Sequence, residues 1–365
     1  MIEKLEFINK KKMSNQILAK EDFEEWVNQL SHHHCLIGPQ RKQTEHIFAE
    51  IRVAADLDLD YRTTILPPKK LLLPQKEEVF SFDDSRILAT RIDNKPVVLL
   101  GVHTCDLHAI LLLDRIFSRQ PADPWYQSRR KNLTLVSIEC LYPCSAESFC
   151  KDMGTLVLPE EYDLHLIDLG EEYALDIGSS KGAALLNGFA RTRPAKPSDH
   201  AHVQQIMSEK WPRFPYRIRT DISELPSLMT LSYNSPLWEE LGERCLGCGS
   251  CTLVCPTCYC FDVLDDVDFS LKSGSRYRVW DSCQLNEFAV VAGGHDFRSG
   301  RAARLRHRFA RKYKYIAAAN DLPGCVGCGR CARACLAGIS PVEVLNQFDK
   351  QRGALAPKKV EKVLL

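Results

Sequence analysis

Apolar residues recur at helical spacing early in the chain. In Glu21–Leu30, EDFEEWVNQL, Phe23, Trp26, Val27 and Leu30 share one face, which predicts an amphipathic helix. Tyr61–Phe82 breaks that period with alternating apolar residues and three prolines, so an extended segment with turns is expected. Two short apolar runs, Pro96–Val102 (PVVLLGV) and Leu133–Ile138 (LTLVSI), read as buried strands. Thr104–Phe117 between them reads as a helix, with Thr104 or Asp106 as its N-cap. Strand, helix and strand make a βαβ unit, for which parallel strands and a right-handed crossover are expected. LHLIDLGEEYALDIG, within Asp163–Gly188, alternates as a hairpin turning at Gly170. Thr192–Pro236 is rich in proline and polar residues and reads as a linker with one short helix near Ala201–Lys210; a further short helix, Leu237–Leu241, follows. The expected fold is therefore mixed, α+β or α/β: an N-terminal domain over 1–235 built on the parallel βαβ unit, and a smaller C-terminal domain over 236–365.

Composition alone narrows the class little. With 45% hydrophobic and 26% charged residues in 365, this is an ordinary globular chain of two-domain length. A net charge of +1 gives no bulk attraction to nucleic acid or an anionic membrane. No apolar run is long enough to span a bilayer.

Cysteine changes the picture. Cys245, Cys248, Cys251 and Cys255, followed by Pro256, have the spacing C-x2-C-x2-C-x3-C-P of bacterial ferredoxins, and Cys325, Cys328, Cys331 and Cys335 repeat it. A cubane [4Fe–4S] cluster needs one thiolate per iron. Three cysteines at two-residue intervals wrap one cluster in a tight loop, and the fourth starts a helix that leads to the other cluster. This assigns Cys245, Cys248, Cys251 and Cys335 to one cluster, and Cys325, Cys328, Cys331 and Cys255 to a second. Gly247, Gly249, Gly327 and Gly329 suit the close approach of backbone N–H groups to cluster sulfur. Zinc sites use isolated Cys-x2-Cys pairs, and disulfide frameworks belong to small secreted chains, so neither fits as well. Leu336 stands where the first copy has Pro256, a change that touches no ligand. The opening stretch MIEKLEFINKKKMSNQ has no apolar export core, and with reduced, cluster-binding thiols a cytoplasmic location is expected.

Four other thiols converge by topology. Cys105 follows the first strand of the βαβ unit and Cys140 the second, on the sheet edge where parallel sheets bind ligands. Cys144 and Cys150 come directly after, so the four are candidate ligands of a third [4Fe–4S] cluster, although a single buried cysteine is ordinarily just a small hydrophobe. Between the two ferredoxin-type motifs lies a long insertion, 261–320, expected to be largely helical. Cys258, Cys260 and Cys283 are expected to line the cluster pocket, since three thiols do not complete a cubane; another metal site is the alternative. The basic run Arg301–Tyr315 spreads its charges round a helix, which favours a place near anionic clusters or at a partner protein over nucleic-acid binding.

These residues carry a family resemblance. ILPPKKLLLPQKE, GVHTCDLHAILLLDRIF, CPTCYCFDV, RVWDSC, FAVVAGGHDFR and CVGCGRC together resemble the iron–sulfur β subunit of cytoplasmic sulfhydrogenases (bidirectional nickel–iron hydrogenases) and the related electron-transfer subunit of anaerobic sulfite reductase, over nearly the whole chain. The resemblance implies a dicluster ferredoxin domain fused to an N-terminal domain, with three [4Fe–4S] clusters that relay single electrons. It implies a flavin-binding partner that exchanges electrons with NAD(P)H. It also implies a catalytic component, either the small and large subunits of a nickel–iron hydrogenase, which we favour, or a sirohaem sulfite reductase. No substrate-converting site is expected in the chain itself. In the family the extra cluster uses the counterparts of Cys105 and Cys140 and a Cys-Phe-Cys pair. Here that pair reads Ser148-Phe149-Cys150, and Cys144 is the candidate replacement ligand; ligation through Ser148 and absence of the third cluster are the alternatives.

Overall fold

The computed structural model describes residues 16–89 and 95–355; the opening stretch Met1–Asn15 lies outside them. Its strands, in chain order, are β1 (Gln16–Ala19), β2 (Cys35–Lys42), β3 (Glu45–Glu50), β4 (Lys76–Asp83), β5 (Arg86–Ala89), β6 (Val97–His103), β7 (Leu133–Ile138), β8 (Leu164–Asp168), β9 (Glu172–Ile177), β10 (Thr192–Pro194), β11 (Phe261–Val267) and β12 (Gly274–Trp280). They form an eight-stranded sheet, β10-β1-β9-β8-β7-β6-β2-β3, and a four-stranded sheet, β11-β12-β4-β5.

The large sheet has a parallel centre, β2-β6-β7-β8, flanked by antiparallel pairs. β6 and β7 are all but fully buried, as their unbroken apolar runs demand of central parallel strands. Helix Lys20–His33 buries the predicted face, Phe23, Trp26, Val27 and Leu30, against this sheet, with acidic residues in its first turn and histidines in its last, as the helix dipole favours. β8 and β9 are the predicted hairpin, with Gly170 at φ 99° in its turn.

Three expectations are corrected. The helix after β6 is capped by His103, without a side-chain bond, and not by Thr104 or Asp106; the Asp106 carboxylate is taken up instead by Arg330. Tyr61–Phe82 keeps its expected form, extended with turns, among them the 3-10 turn Pro68–Leu71 before β4. Thr192–Pro236 is not a loose linker: it holds a 17-residue helix, Pro197–Arg213, and a second helix, Leu225–Leu231, whose Leu225, Leu228 and Met229 are core residues. Pro197 and Pro212 account for the misreading: Pro197 sits in the first turn, where proline costs little, whereas Pro212 lies inside the last turn, where a proline ordinarily argues against a helix. Finally, the insertion begins as a β-hairpin, β11–β12. β12 pairs antiparallel with β4, so strands on either side of the first motif share one sheet.

Helical structure follows the hairpin: Arg301–Ala310, a π-helical turn Arg311–Tyr315, and Ile316–Asn320. Helix Leu237–Arg244, longer than expected, crosses Arg301–Ala310 closely. A Cβ on Gly242 would lie 2.7 Å from the Ala302 nitrogen, so only glycine admits this contact. Trp238 fixes the local core, with its ring centroid 5.6 Å from Phe309 and 4.7 Å from Phe348. Among the described residues no helix is long and apolar enough to cross a membrane.

Candidate metal centres

The two cysteine motifs share one backbone conformation. Gly247 and Gly327 have φ 65° and 66°, and Gly249 and Gly329 have φ 75° and 73°. These left-handed positions curl each loop so that a backbone N–H meets the first thiol: Gly247 N donates to Cys245 Sγ at 3.4 Å, and Gly327 N to Cys325 Sγ at 3.5 Å. Short helices, Ser250–Leu253 and Arg330–Arg333, then carry each chain away.

The fourth cysteine of each motif crosses over. Cys335 lines one cavity together with Cys245, Cys248 and Cys251, floored by Leu305 and Ile339. Cys255, at the far end of the first motif, sits within electrostatic range of Cys325, Cys328 and Cys331. Burial pushes the Cys251 and Cys325 thiols up to about 11, and those of Cys328 and Cys331 upward as well. Cys255 goes the other way, lowered by a hydrogen bond from the Cys258 thiol and by Lys312 and Lys69.

Buried cations answer this concentration of thiols. Arg308 is 7% exposed and lines the first cavity. Burial opposes its charge, but Cys251, Cys331, Cys258 and Cys255 outweigh that and hold it protonated. Its Nε is buried and has no hydrogen-bond partner among the described residues. Lys312, equally buried, is held charged by Cys255 and Cys258 and donates to Thr257 Oγ1. It lies on the π-helical turn, which also turns Tyr313 to hydrogen-bond Cys325. Neutral thiols alone give such cations nothing to balance. An anionic cluster held by thiolates does, so the donor set and the unpartnered Arg308 Nε fit [4Fe–4S] groups.

The third group of thiols lies at the C-terminal edge of the parallel strands. Cys105 occupies the first turn of helix Thr104–Phe117, Cys140 follows β7, and the loop beyond brings in Cys144 and Cys150. Cys144 is within electrostatic range of Cys105, Cys140 and Cys150. Burial raises all four thiols, Cys144 to about 11 and Cys150 to about 12. Ser148 is turned away to the backbone, its Oγ donating to the Ser145 carbonyl at 2.8 Å. The Cys144 Sγ stands 3.8 Å from His103 Nδ1, and the His103 ring stacks on Tyr61 at 4.1 Å. Beyond His103 and Cys140 the strand ends open into a cavity of about 520 Å³, also lined by Tyr61, Tyr142 and Arg62.

The three groups lie in sequence. Cys105 is within range of Cys328, and Arg308 stands beside both Cys331 and Cys251. The second group is also clamped to the third: Arg330 donates to both Asp106 oxygens at 2.7 Å and to the Thr64 carbonyl at 3.1 Å, fully buried. Below Cys140, Lys210 and Glu139 form a second buried pair; burial opposes the Glu139 charge, but Lys210 and His165 hold it down to about 2.

The expectation for the insertion thiols is partly corrected. Cys258 touches Cys255 and Cys283 stands near Cys251, but Cys260 pairs with Cys283 and does not line the first cavity. Sequence reasoning missed Arg330, Lys210 and the individual weight of Arg308 and Lys312. The only available signal was the position of Arg330 directly before a motif cysteine, which the first copy fills with Ser250.

Residues 244–339 match the family model of the 4Fe-4S dicluster domain. Over 331 residues the chain is 34% identical to sulfhydrogenase 2 subunit beta of Pyrococcus furiosus, an alignment covering 90% of this chain and 97% of that protein. No solved structure matches the chain.

Proposed function

Because this chain belongs to the sulfhydrogenase β-subunit family, we propose that it is the single-electron relay of a multi-subunit oxidoreductase, with three [4Fe–4S] clusters. Cys245, Cys248, Cys251 and Cys335 hold the first; Cys325, Cys328, Cys331 and Cys255 hold the second; Cys105, Cys140, Cys144 and Cys150 hold the third. The observation that carries this reading is the exchange of fourth cysteines, Cys335 lining the cavity of the first motif while Cys255 reaches the second. Ligation by Cys144 in place of Ser148 is supported by its closeness to the other three thiols and by the bond that occupies the Ser148 hydroxyl.

Each cubane supplies a one-electron couple, and the chain's own residues set the conditions for it. Backbone N–H groups bond the sulfurs, Arg308 and Lys312 offset negative charge, and the apolar packing around Phe149, Phe309 and Tyr313 excludes water. The order of the groups gives the relay two ends: the third group, beside the cavity at the strand ends, and the first, where Cys248 is exposed. A flavin subunit that exchanges electrons with NAD(P)H docks at one end. The small and large subunits of a nickel–iron hydrogenase dock at the other; a sirohaem sulfite reductase is the second reading for that place. Arg304, Arg308 and Lys312 of the basic run are buried, which favours a place beside the thiols over contact with nucleic acid.

The test is iron and acid-labile sulfide per chain on anaerobically purified protein, with Cys144→Ala alongside. Three cubanes give about twelve irons and two give about eight. The expected result is about twelve, falling toward about eight in the variant; about eight in both would remove the third cluster from the relay.

A further inference from the structure

Cys260 and Cys283 take no part in the three groups. Cys260 directly precedes β11 and Cys283 lies just beyond β12, so the open end of the hairpin brings them together. Phe261 pairs with Trp280, and the ladder runs one step further, with Asp281 N donating to the Cys260 carbonyl at 3.0 Å. From that crossing the two thiols meet side by side and hydrogen-bond each other.

The setting is rigid and asymmetric. Ser282 accepts a hydrogen bond from Thr252 Oγ1 at 2.6 Å, which ties the Cys283 loop to the residue after Cys251. Gln284 Nε2 reaches Cys283 Sγ at 3.6 Å and the Arg304 carbonyl at 2.9 Å. Cys283 is 4% exposed, whereas Cys260 is only half-buried and faces Arg311. The bond from Cys283 and the nearby Arg311 pull the Cys260 thiol down to about 6 against the effect of burial, while the Cys283 thiol is raised. An accessible thiolate backed by a buried thiol is the arrangement that thiol–disulfide exchange requires.

We propose that Cys260 and Cys283 form a redox-active dithiol, an exchange site for small disulfides beside the first cysteine group. The Cys260 thiolate attacks one sulfur of the external disulfide. The Cys260–substrate bond forms as the substrate's S–S bond breaks, and the first substrate thiolate leaves and takes up a proton. Cys283, losing its proton, then attacks the Cys260 sulfur, closes the Cys260–Cys283 disulfide and releases the second substrate thiol. One external disulfide becomes two thiols, and the protein dithiol becomes a disulfide. Its return takes two protons and two electrons, delivered singly through the neighbouring first cluster; this return step alone rests on the relay reading above.

The test uses the full chain, purified anaerobically, with oxidised glutathione as the probe. Thiols are alkylated and mapped by mass spectrometry, and iron is measured on the same sample. Expected are simultaneous loss of alkylation at Cys260 and Cys283, a mass two hydrogens lower for the linked peptides, and release of two glutathione molecules per disulfide formed. Cys283→Ser should instead trap glutathione on Cys260, and Cys260→Ser should leave Cys283 unmodified. Full alkylation of both in iron-loaded wild-type protein would overturn the site while leaving the relay intact. A zinc ion retained by the pair and lost in Cys260→Ser would overturn it as well. For the return step, electrons from reduced methyl viologen should restore the dithiol at least tenfold faster in wild type than in Cys248→Ala; equal rates would overturn the link to the first cluster. Formation of the disulfide in a chain that binds no iron even after anaerobic cluster reconstitution would keep the exchange site and sink the relay.

Discussion

The two cysteine motifs are copies in backbone and opposites in surroundings. Their glycines match within a few degrees, and each first thiol receives the same N–H bond. Yet the first copy borders solvent: Leu246 is 59% and its cavity neighbour Leu336 85% exposed. The second copy is roofed by the chain around Cys150. Phe149 N donates to the Gly327 carbonyl at 2.7 Å, and Arg330 is locked to Asp106. One loop geometry thus serves both at the surface and in the interior. What separates the two is the polypeptide laid over them.

The largest test of this contrast is Arg330→Met. It leaves the Asp106 carboxylate buried and uncompensated, and should cost about 3–5 kcal/mol in denaturant unfolding. The equivalent position in the first copy is Ser250, whose hydroxyl meets the exposed Cys248 thiol; Ser250→Ala should stay within about 0.5 kcal/mol. Similar losses at both positions would erase the distinction.

The roof has its own support in Lys210. Lys210→Met should also cost about 3–5 kcal/mol, because it strands Glu139, and the double variant with Glu139→Gln should recover most of that. The pH sign follows from the depressed carboxyl. Glu139 is held at about 2, below its ordinary 4.5, so the pair's contribution is complete above 4.5 and is lost as pH falls toward 2. The acid-unfolding profile of Glu139→Gln against wild type measures it, and a difference appearing only above pH 5 would contradict the assignment.

Glycine-to-alanine exchange sharpens the comparison more finely. Gly247→Ala meets nothing closer than 3.6 Å and should cost only the left-handed backbone penalty, about 1–2 kcal/mol. Gly327→Ala has the same penalty, and its Cβ would also lie 2.5 Å from the Phe149 carbonyl oxygen. It should therefore cost more than its counterpart. Iron content should show losses at the third group as well, through displacement of Cys150.

Much of the fold was legible because it is local. The unbroken apolar runs of β6 and β7 could only be buried parallel strands, and Phe23, Trp26, Val27 and Leu30 announced their helix face by spacing alone. The helices of 197–231 were hidden because prolines at helix ends look the same in sequence as prolines in a linker. The partnership of β12 with β4 was hidden because it joins strands some two hundred residues apart, and nothing in either strand names the other. At the candidate site the motif thiols could be read from spacing and the basic run could be placed near them, but Arg330, Lys210 and the burial of Arg308 in particular could not, since a basic residue in a helix is ordinarily solvated.

By itself the sequence determined the thiol loops. Cys-x-Gly-Cys-Gly-x-Cys constrains a few consecutive residues, and glycine alone enters the left-handed region without strain, so the local geometry follows from the local code. Only the tertiary structure decided which loop is buried, which cations stand among the thiols, and that Cys260 meets Cys283. Those outcomes depend on burial and charge summed over distant segments, where desolvation makes an unpaired group costly enough to dictate its partner.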